Sequence, residues 1–297
     1  MSNLREIRGR INSVRSTMKI TNAMYLLASS KMKKARRSAE ATAPFFRAIR
    51  ETMEEILAGA GDLAGKCGYF RKTEGDDKRR LFLVITSDKG LAGSYNHNIV
   101  RLAEEKIALP GADSLMFIGY SGRNYFIHRQ KDFPDLTLED RYTSPASEPV
   151  MWRAVDYAQH IAQRFRDREV DEVFLVYTKL VNALSSQAEC MRLLPLEAAS
   201  FQNGEKKRRE MVYLPSPEDV FTKTVPNYLT GVLYGAMVES YAAEQNARMQ
   251  AMDSATENAQ EMLQDLSLLY NRVRQAAITQ EITEVVGGAQ AREREEE

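Results

Sequence analysis

The feature that most constrains this chain is a long C-terminal stretch without helix breakers. Between Gly235 and Gly287 the sequence contains neither proline nor glycine. Apolar or small residues recur there at alternating steps of three and four, a pattern typical of a helix that packs along a partner helix. These positions are Met252, Ala255, Ala259, Met262, Leu266, Leu269, Val273 and Ala276. We predict a helix over about residues 216–288 that ends at Gly287–Gly288, because glycine adopts the left-handed cap conformation readily.

The partner helix is predicted at the other end of the chain, where the same alternation runs through eleven positions. They are Leu4, Ile7, Ile11, Val14, Met18, Thr21, Tyr25, Ala28, Met32, Ala35 and Ala39. The small residues Ala28, Ala35, Ala255 and Ala259 would form a seam in which the two backbones approach closely. This predicts an antiparallel coiled coil made by the two ends of one chain.

Charge also favours pairing of the two ends. Residues 1–50 contain 12 Lys/Arg and 2 Asp/Glu, whereas residues 238–297 contain 5 Lys/Arg and 12 Asp/Glu. Opposite net charges select the partner more than they add stability, since each exposed ion pair contributes little. The alternative is two solvated helix faces with unrelated charge biases.

The middle of the chain changes to strands that alternate with helices. The apolar run Leu81–Thr86 is typical of a buried parallel strand, two further strands follow at about 114–120 and 172–177, and residues 187–194 are expected to pair antiparallel. This pattern predicts a Rossmann-like α/β domain inserted between the coiled-coil helices. The expected boundaries are 1–58 for the N-terminal helix, 75–210 for the α/β domain, 211–288 for the C-terminal helix and 289–297 for a charged tail. Pro44 is expected to kink or break the first helix.

Composition excludes several classes of protein. A formal net charge of zero argues against a general nucleic-acid binder. The sequence has no run of 18 apolar residues and no secretory signal, so we expect no insertion into a bilayer. Cys67 and Cys190 lack metal-ligand spacing, and such sparse cysteine usage fits a reducing cytoplasm.

The segment Ser87, Asp88, Lys89 and Gly90 is the one place where a ligand site is worth testing. It follows a strand and precedes a helix, where nucleotide sites often lie, but it matches neither the dinucleotide fingerprint nor the P-loop. We predict a structural or subunit-contact turn, with an enzyme active site in this loop as an alternative. His97, His128 and His160 are scattered, and no catalytic residues, metal site or cofactor site is predicted.

Three segments carry a resemblance to a known family, the gamma subunit of the F-type ATP synthase. They are Ile11–Met32, which includes KITNAM and ASSKM; SDKGLAGSYN at 87–96; and Glu244–Ala289, which includes EQNARMQAM, ATENA and YNRVRQAAITQEI. The resemblance covers the whole length, the third segment is the most specific and the middle domain matches more loosely. Family members often have cysteine where this chain has Ala92, and the paired cysteines of the chloroplast type are missing.

The resemblance implies a non-catalytic rotor shaft. Its partners would be three alpha and three beta subunits, the epsilon subunit and the c-ring, at the cytoplasmic face of a bacterial membrane. The family's motifs place beta-subunit contacts at Arg248, Arg274, Gln275 and Met24. The coupling ion, proton or sodium, is selected in the c subunit. The alternative function is a structural coiled-coil adaptor with an α/β end module.

Overall fold

The computed structural model describes residues 2–60, 63–75, 78–107, 112–182, 185–201 and 212–296. The helices are α1 (Ser2–Gly59), α2 (Leu63–Lys66), α3 (Tyr95–Ile107), α4 (Tyr120–His128), α5 (Met151–Arg166) and α6 (Pro217–Glu296). The strands are β1 (Arg79–Ile85), β2 (Ala112–Ile118), β3 (Thr137–Leu138), β4 (Glu172–Leu180) and β5 (Ser186–Leu194). The chain divides into a helical unit, made of residues up to Leu27 and from Met249 onward, and an α/β unit, Ala28–Arg248.

In the helical unit, α1 and α6 pair antiparallel. Arg8 Nη2 donates a hydrogen bond of 2.8 Å to the hydroxyl of Tyr270. The hydroxyl oxygens of Thr21 and Thr256 are 2.6 Å apart. Residues later in α1 therefore contact residues earlier in α6, which confirms that the two helices are antiparallel as predicted.

Burial along α1 follows the predicted three-four period. All eleven positions are buried or half-buried, and the residues between them are mostly exposed. Ala28 and Ala35, which belong to the α/β unit, are both buried. The periodicity identified the buried face of α1 because each apolar position in this helix is flanked mainly by charged or polar residues.

From Met262 onward, the predicted seam of α6 is wrong by one residue at every second position, namely Met262, Leu269 and Ala276. Met262 is 53% exposed and Leu269 is 42% exposed. The half-buried residues are instead Thr256, Leu263, Tyr270 and Ala277, which alternate with Met252, Ala259, Leu266 and Val273. Ala255 is itself half-buried beside Thr256. The three-four alternation is present, but its steps begin with four rather than three.

Two predicted helix breaks are absent from the described residues. Helix α6 continues through Gly287–Gly288 to Glu296, and α1 is continuous through Pro44. Glycine weakens a helix interior by about 1 kcal/mol and does not by itself end a helix. Glu40 and Pro44 are exposed, so water can satisfy the carbonyl that the proline leaves without a donor.

In the described part of the α/β unit, five strands form one sheet in the order β3-β2-β1-β4-β5. The first four are parallel, and β5 pairs antiparallel with β4 as predicted. Residues Leu81–Ile85 of β1 are all buried. Alternate side chains of β1 enter two apolar clusters: Leu81, Leu83 and Ile85 with α5 and α6, and Phe82 and Val84 with α3 and α4. The central strand therefore directs its carboxyl end, and the loop after it, into the middle of the sheet edge.

Several element boundaries differ from the predictions by a few residues. The predicted strand 114–120 is β2, Ala112–Ile118, and α4 begins at Tyr120. Helix α2 and a short 3-10 turn, Gly68–Phe70, lie between α1 and β1. The predicted boundary at 210/211 lies outside the described residues.

Candidate functional site

The loop after β1, Ser87–Gly93 (the β1 loop), is held by a compact hydrogen-bond network. The Ser87 amide donates to Asn96 Oδ1 at 2.9 Å, and Asn96 Nδ2 donates to Ser87 Oγ at 2.7 Å. Ser87 Oγ donates in turn to the carbonyl of Lys89, also at 2.7 Å. Ser87 is fully buried, so these bonds replace the water that its polar groups lose.

Asp88 fixes the loop from its other side. Its carboxylate accepts hydrogen bonds from the backbone amides of Ala146 at 2.9 Å and Ser147 at 2.8 Å. Each carboxylate oxygen accepts from one backbone amide, so Asp88 links the β1 loop to the segment that contains Ala146 and Ser147.

The start of α4, which lies beside the β1 loop, is occupied by the chain itself. The Ser121 amide donates to the carbonyl of Ser87 at 3.0 Å, and the Gly122 amide donates to Thr86 Oγ1 at 3.0 Å. Gly119 has a φ of 95°, and a Cβ added there would lie 2.2 Å from the Thr86 carbonyl oxygen. Phosphate binding at a helix start uses free amides and open space, and the start of α4 offers neither at these positions.

The tip of the β1 loop is exposed and conformationally unusual. Leu91 has a φ of 65°, in the left-handed region that a non-glycine residue rarely adopts. Its side chain is 64% exposed. Lys89 and Gly90 beside it are exposed as well. The tip therefore presents one charged and one apolar side chain to solvent.

Arg248 of α6 reaches this loop. Its Nη2 donates to the carbonyl of Gly90 at 3.1 Å and to the carbonyl of Lys89 at 3.4 Å. Its Nη1 lies 2.7 Å from Glu244 Oε1, and the side chains of Arg248 and Glu244 are only 13% and 6% exposed. Burial raises the pKa of Glu244, and the Arg248 guanidinium opposes that rise.

Sequence reasoning missed this contact. Arg248 and Gly90 are 158 positions apart, and neither residue type is unusual for its element. The family's motif placed Arg248 among the beta-subunit contacts, whereas the guanidinium here bonds within its own chain.

The remaining predicted site residues lie in both units. Arg274 and Gln275 are exposed on α6, and Met24 is half-buried on α1, all three in the helical unit. In that unit Ala259 is buried and Ala255 half-buried, whereas Ala28 and Ala35 are buried in the α/β unit.

Among the residues that the structure describes, no group of three or more His, Cys, Asp or Glu is arranged to hold a metal ion. Within the described helices, no segment is long and apolar enough to cross a membrane. Cys67 and Cys190 are free thiols, and burial raises the pKa of both.

Comparison with known proteins places the chain in a class. A family model described as ATP synthase matches residues 3–291. The ATP synthase gamma chain of Ruminiclostridium cellulolyticum is 39% identical over 98% of this chain and 99% of its own length. That of Acetivibrio thermocellus is 41% identical over the same shares. The chain therefore belongs to the ATP synthase gamma chain family.

Solved structures agree with this assignment. A chain of the Tetrahymena thermophila mitochondrial ATP synthase, in a structure of its central stalk and c-ring, is 27% identical with a TM-score of 0.59. That match covers 80% of this chain and 99% of the other. A chain of the Euglena gracilis mitochondrial ATP synthase shares the fold, with a TM-score of 0.66 at 17% identity over 98% of this chain and 94% of the other.

Proposed function

We propose that this chain is the central-stalk rotor subunit of an F-type ATP synthase. It couples rotation of the ion-driven c-ring to conformational change in the catalytic beta subunits. The observation that carries the proposal is the antiparallel α1–α6 pair, in a chain that matches gamma chains over nearly its whole length. The chain itself is non-catalytic in this proposal. In support, backbone amides and the Asp88 carboxylate around the β1 loop already have hydrogen-bond partners within the chain.

The proposed partners are three alpha and three beta subunits, the epsilon subunit and the c-ring. They are the partners that the family resemblance implies, and the Tetrahymena structure named above is of a central stalk and c-ring. A relative from Acetobacterium woodii, 39% identical, is named as sodium ion specific, so the ring would carry protons or sodium ions. Peripheral attachment at the cytoplasmic face of a bacterial membrane follows from this role.

The end of α6 has the surface that such a role needs. Ile278, Ile282, Val285 and Val286 are exposed and share one helix face through their spacing of four, three and one. Because Arg8 lies beside Tyr270 in an antiparallel pair, Ser2 lies near residue 276 at about 1.5 Å per residue in each helix. The stripe therefore extends beyond the first described residue of α1. A ring of alpha and beta subunits with an apolar inner wall would bury it.

Arg274 and Gln275 are the proposed polar contacts with the beta subunits, and Met24 is the proposed apolar one. Arginine suits this position because its planar fork binds a carboxylate with two hydrogen bonds and stays charged at any working pH. Rotation shifts the beta subunits between states only if the contact free energy differs between shaft orientations. Each contact must therefore be modest and reversible, since a very strong contact in one orientation would stop rotation.

The proposal is tested in two stages. The full chain should co-purify with a hexameric ATPase ring; a complex with one fixed partner and no ATPase would favour the adaptor. In the assembled enzyme, Arg274→Ala with Gln275→Ala should lower ATP-driven ion pumping several-fold while leaving the complex intact. Gln264→Ala with Asp265→Ala is the control, because this neighbouring pair is also polar and exposed on α6. Wild-type pumping by the first double variant would exclude these two residues from the coupling surface.

A further inference from the structure

We infer that Arg248 is a positioning residue, which fixes the β1 loop from α6 and holds Lys89 and Leu91 in place at its tip, rather than a residue that contacts a partner subunit directly. The local part of this inference concerns the folded chain alone. Its consequence for energy coupling rests on the proposed function.

The first argument is the direction of the guanidinium. Nη2 lies between the carbonyls of Lys89 and Gly90, and Nη1 lies on Glu244. Only 13% of the Arg248 side chain is exposed. A partner would therefore meet the loop that Arg248 holds and little of Arg248 itself.

The second argument is what these bonds hold in place. The carbonyl of Lys89 accepts from both Ser87 Oγ and Arg248 Nη2, so the internal network of the loop and the contact from α6 meet at one atom. Leu91, next to the second carbonyl, has a left-handed backbone and an exposed side chain. Such a conformation persists only where the surrounding structure imposes it. Arg248 is the contact from α6 that reaches both carbonyls before it.

The third argument is the burial of Glu244. A carboxylate that is 6% exposed destabilises a fold unless a partner compensates it. Here it fixes one edge of Arg248 and leaves the other edge directed at the loop. Lys31 and Asp88 also contribute to the field at Glu244, which places α1, α6 and the β1 loop around the same buried charge. The buried Glu244–Arg248 pair therefore orients Arg248 toward the β1 loop.

Hydrogen exchange and limited trypsin digestion of the full chain test the local claim. In Arg248→Gln, exchange of a peptide spanning the β1 loop and cleavage after Lys89 should both rise about tenfold. That factor corresponds to the loss of about one charge-assisted hydrogen bond from the local opening equilibrium. Peptides from β4 and β5 should keep wild-type rates.

Two further variants separate loss of the contact from the effect of an unpaired buried charge. Glu244→Gln with Arg248→Gln removes both charges and should open the loop as much as Arg248→Gln alone. Glu244→Gln alone keeps both hydrogen bonds from Arg248 Nη2 to the loop carbonyls and should open the loop far less. Wild-type loop exchange in both Arg248 variants would overturn the inference, and so would equal opening in all three variants.

A double-mutant cycle in the assembled enzyme tests the consequence. Lys89→Ala with Leu91→Gly removes both side chains at the tip and relaxes its backbone, so Arg248→Gln should reduce ATP-driven ion pumping in the wild-type background and add little in this double-variant background. Multiplicative losses would show that Arg248 contacts the partner directly and would refute the inference. If the wild-type chain joins no ATPase ring, the proposed function fails, and the exchange experiment still decides whether Arg248 holds the loop.

Discussion

Replacing Gly119 with alanine is expected to destabilise the α/β unit strongly. Gly119 joins β2 to α4, with a φ of 95° and a ψ of 141°. An added Cβ would lie 2.2 Å from the carbonyl oxygen and 2.7 Å from the carbonyl carbon of Thr86. Real Cβ contacts are never this short, so the backbone of β1 or β2 would have to move.

The surrounding hydrogen bonds restrict that movement and set the magnitude. The Thr86 amide donates to the carbonyl of Ile118 at 2.8 Å, and Thr86 Oγ1 accepts from the Gly122 amide at 3.0 Å. A glycine-only backbone conformation costs another residue about 1–3 kcal/mol. Overpacking adds about 1–3 kcal/mol. The expected loss of about 2–6 kcal/mol is a large share of the about 5–15 kcal/mol typical of a folded protein.

Urea unfolding followed by tryptophan fluorescence measures this loss. Trp152 is the single tryptophan of the chain and lies at the start of α5, so it reports on the α/β unit. Gly90→Ala is the matched control, because its Cβ would meet nothing within 4 Å, and it should change stability by less than about 0.5 kcal/mol. If Gly119→Ala unfolds at the same urea concentration as Gly90→Ala, the close approach of Gly119 to the Thr86 carbonyl is wrong.

Two other predictions concern single contacts. Asp171 accepts hydrogen bonds from Thr73 and from the side chain and backbone of Arg79, and the Arg79 side chain lowers the pKa of Asp171. Asp171→Asn should therefore unfold at a lower urea concentration than the wild type at pH 7. The pKa of Asp171 in the folded protein lies below its unfolded value of about 3.9, so the stability deficit of the variant should shrink only as the pH falls below about 4. A deficit that does not change with pH would contradict this prediction. In the helical unit, Thr21→Val and Thr256→Val should each lower the thermal midpoint measured by circular dichroism, since each leaves one hydroxyl without its cross-helix partner. The double variant should lose about as much as one single, with a coupling of about 0.5–1.5 kcal/mol, and additive losses would argue against the bond.

The sequence predicted the buried positions correctly where only one set of apolar residues fitted the spacing of the helix or strand. In α1, positions such as Ile7 and Ile11 stand among charged or polar neighbours, and the periodicity gave the correct face. The run Leu81–Ile85 is apolar throughout, as a strand buried on both sides requires. The segment 187–194 was also placed correctly as an antiparallel strand.

The errors came from positions where two neighbours were equally suitable. In α6, Met262 is followed by Leu263 and Leu269 by Tyr270, so either phase of the alternation gives an acceptable apolar stripe. Gly287 and Gly288 were read as a helix end, although a glycine pair allows a stop without requiring one. The contact between Arg248 and Gly90 depends on how distant segments meet, which local patterns do not encode.

The pairing of α1 with α6 also determines when this chain can finish folding. Thr21 and Thr256 are separated by 235 positions and Arg8 and Tyr270 by 262. At synthesis rates of about 5–20 residues per second, the apolar seam of α1 emerges on the order of 10–50 s before its partner exists. All five strands are complete by Leu194, well before α6 reaches Thr256. The five strands are thus available to pair during translation, whereas the first turns of α1 remain exposed to chaperones until the last part of the chain leaves the ribosome.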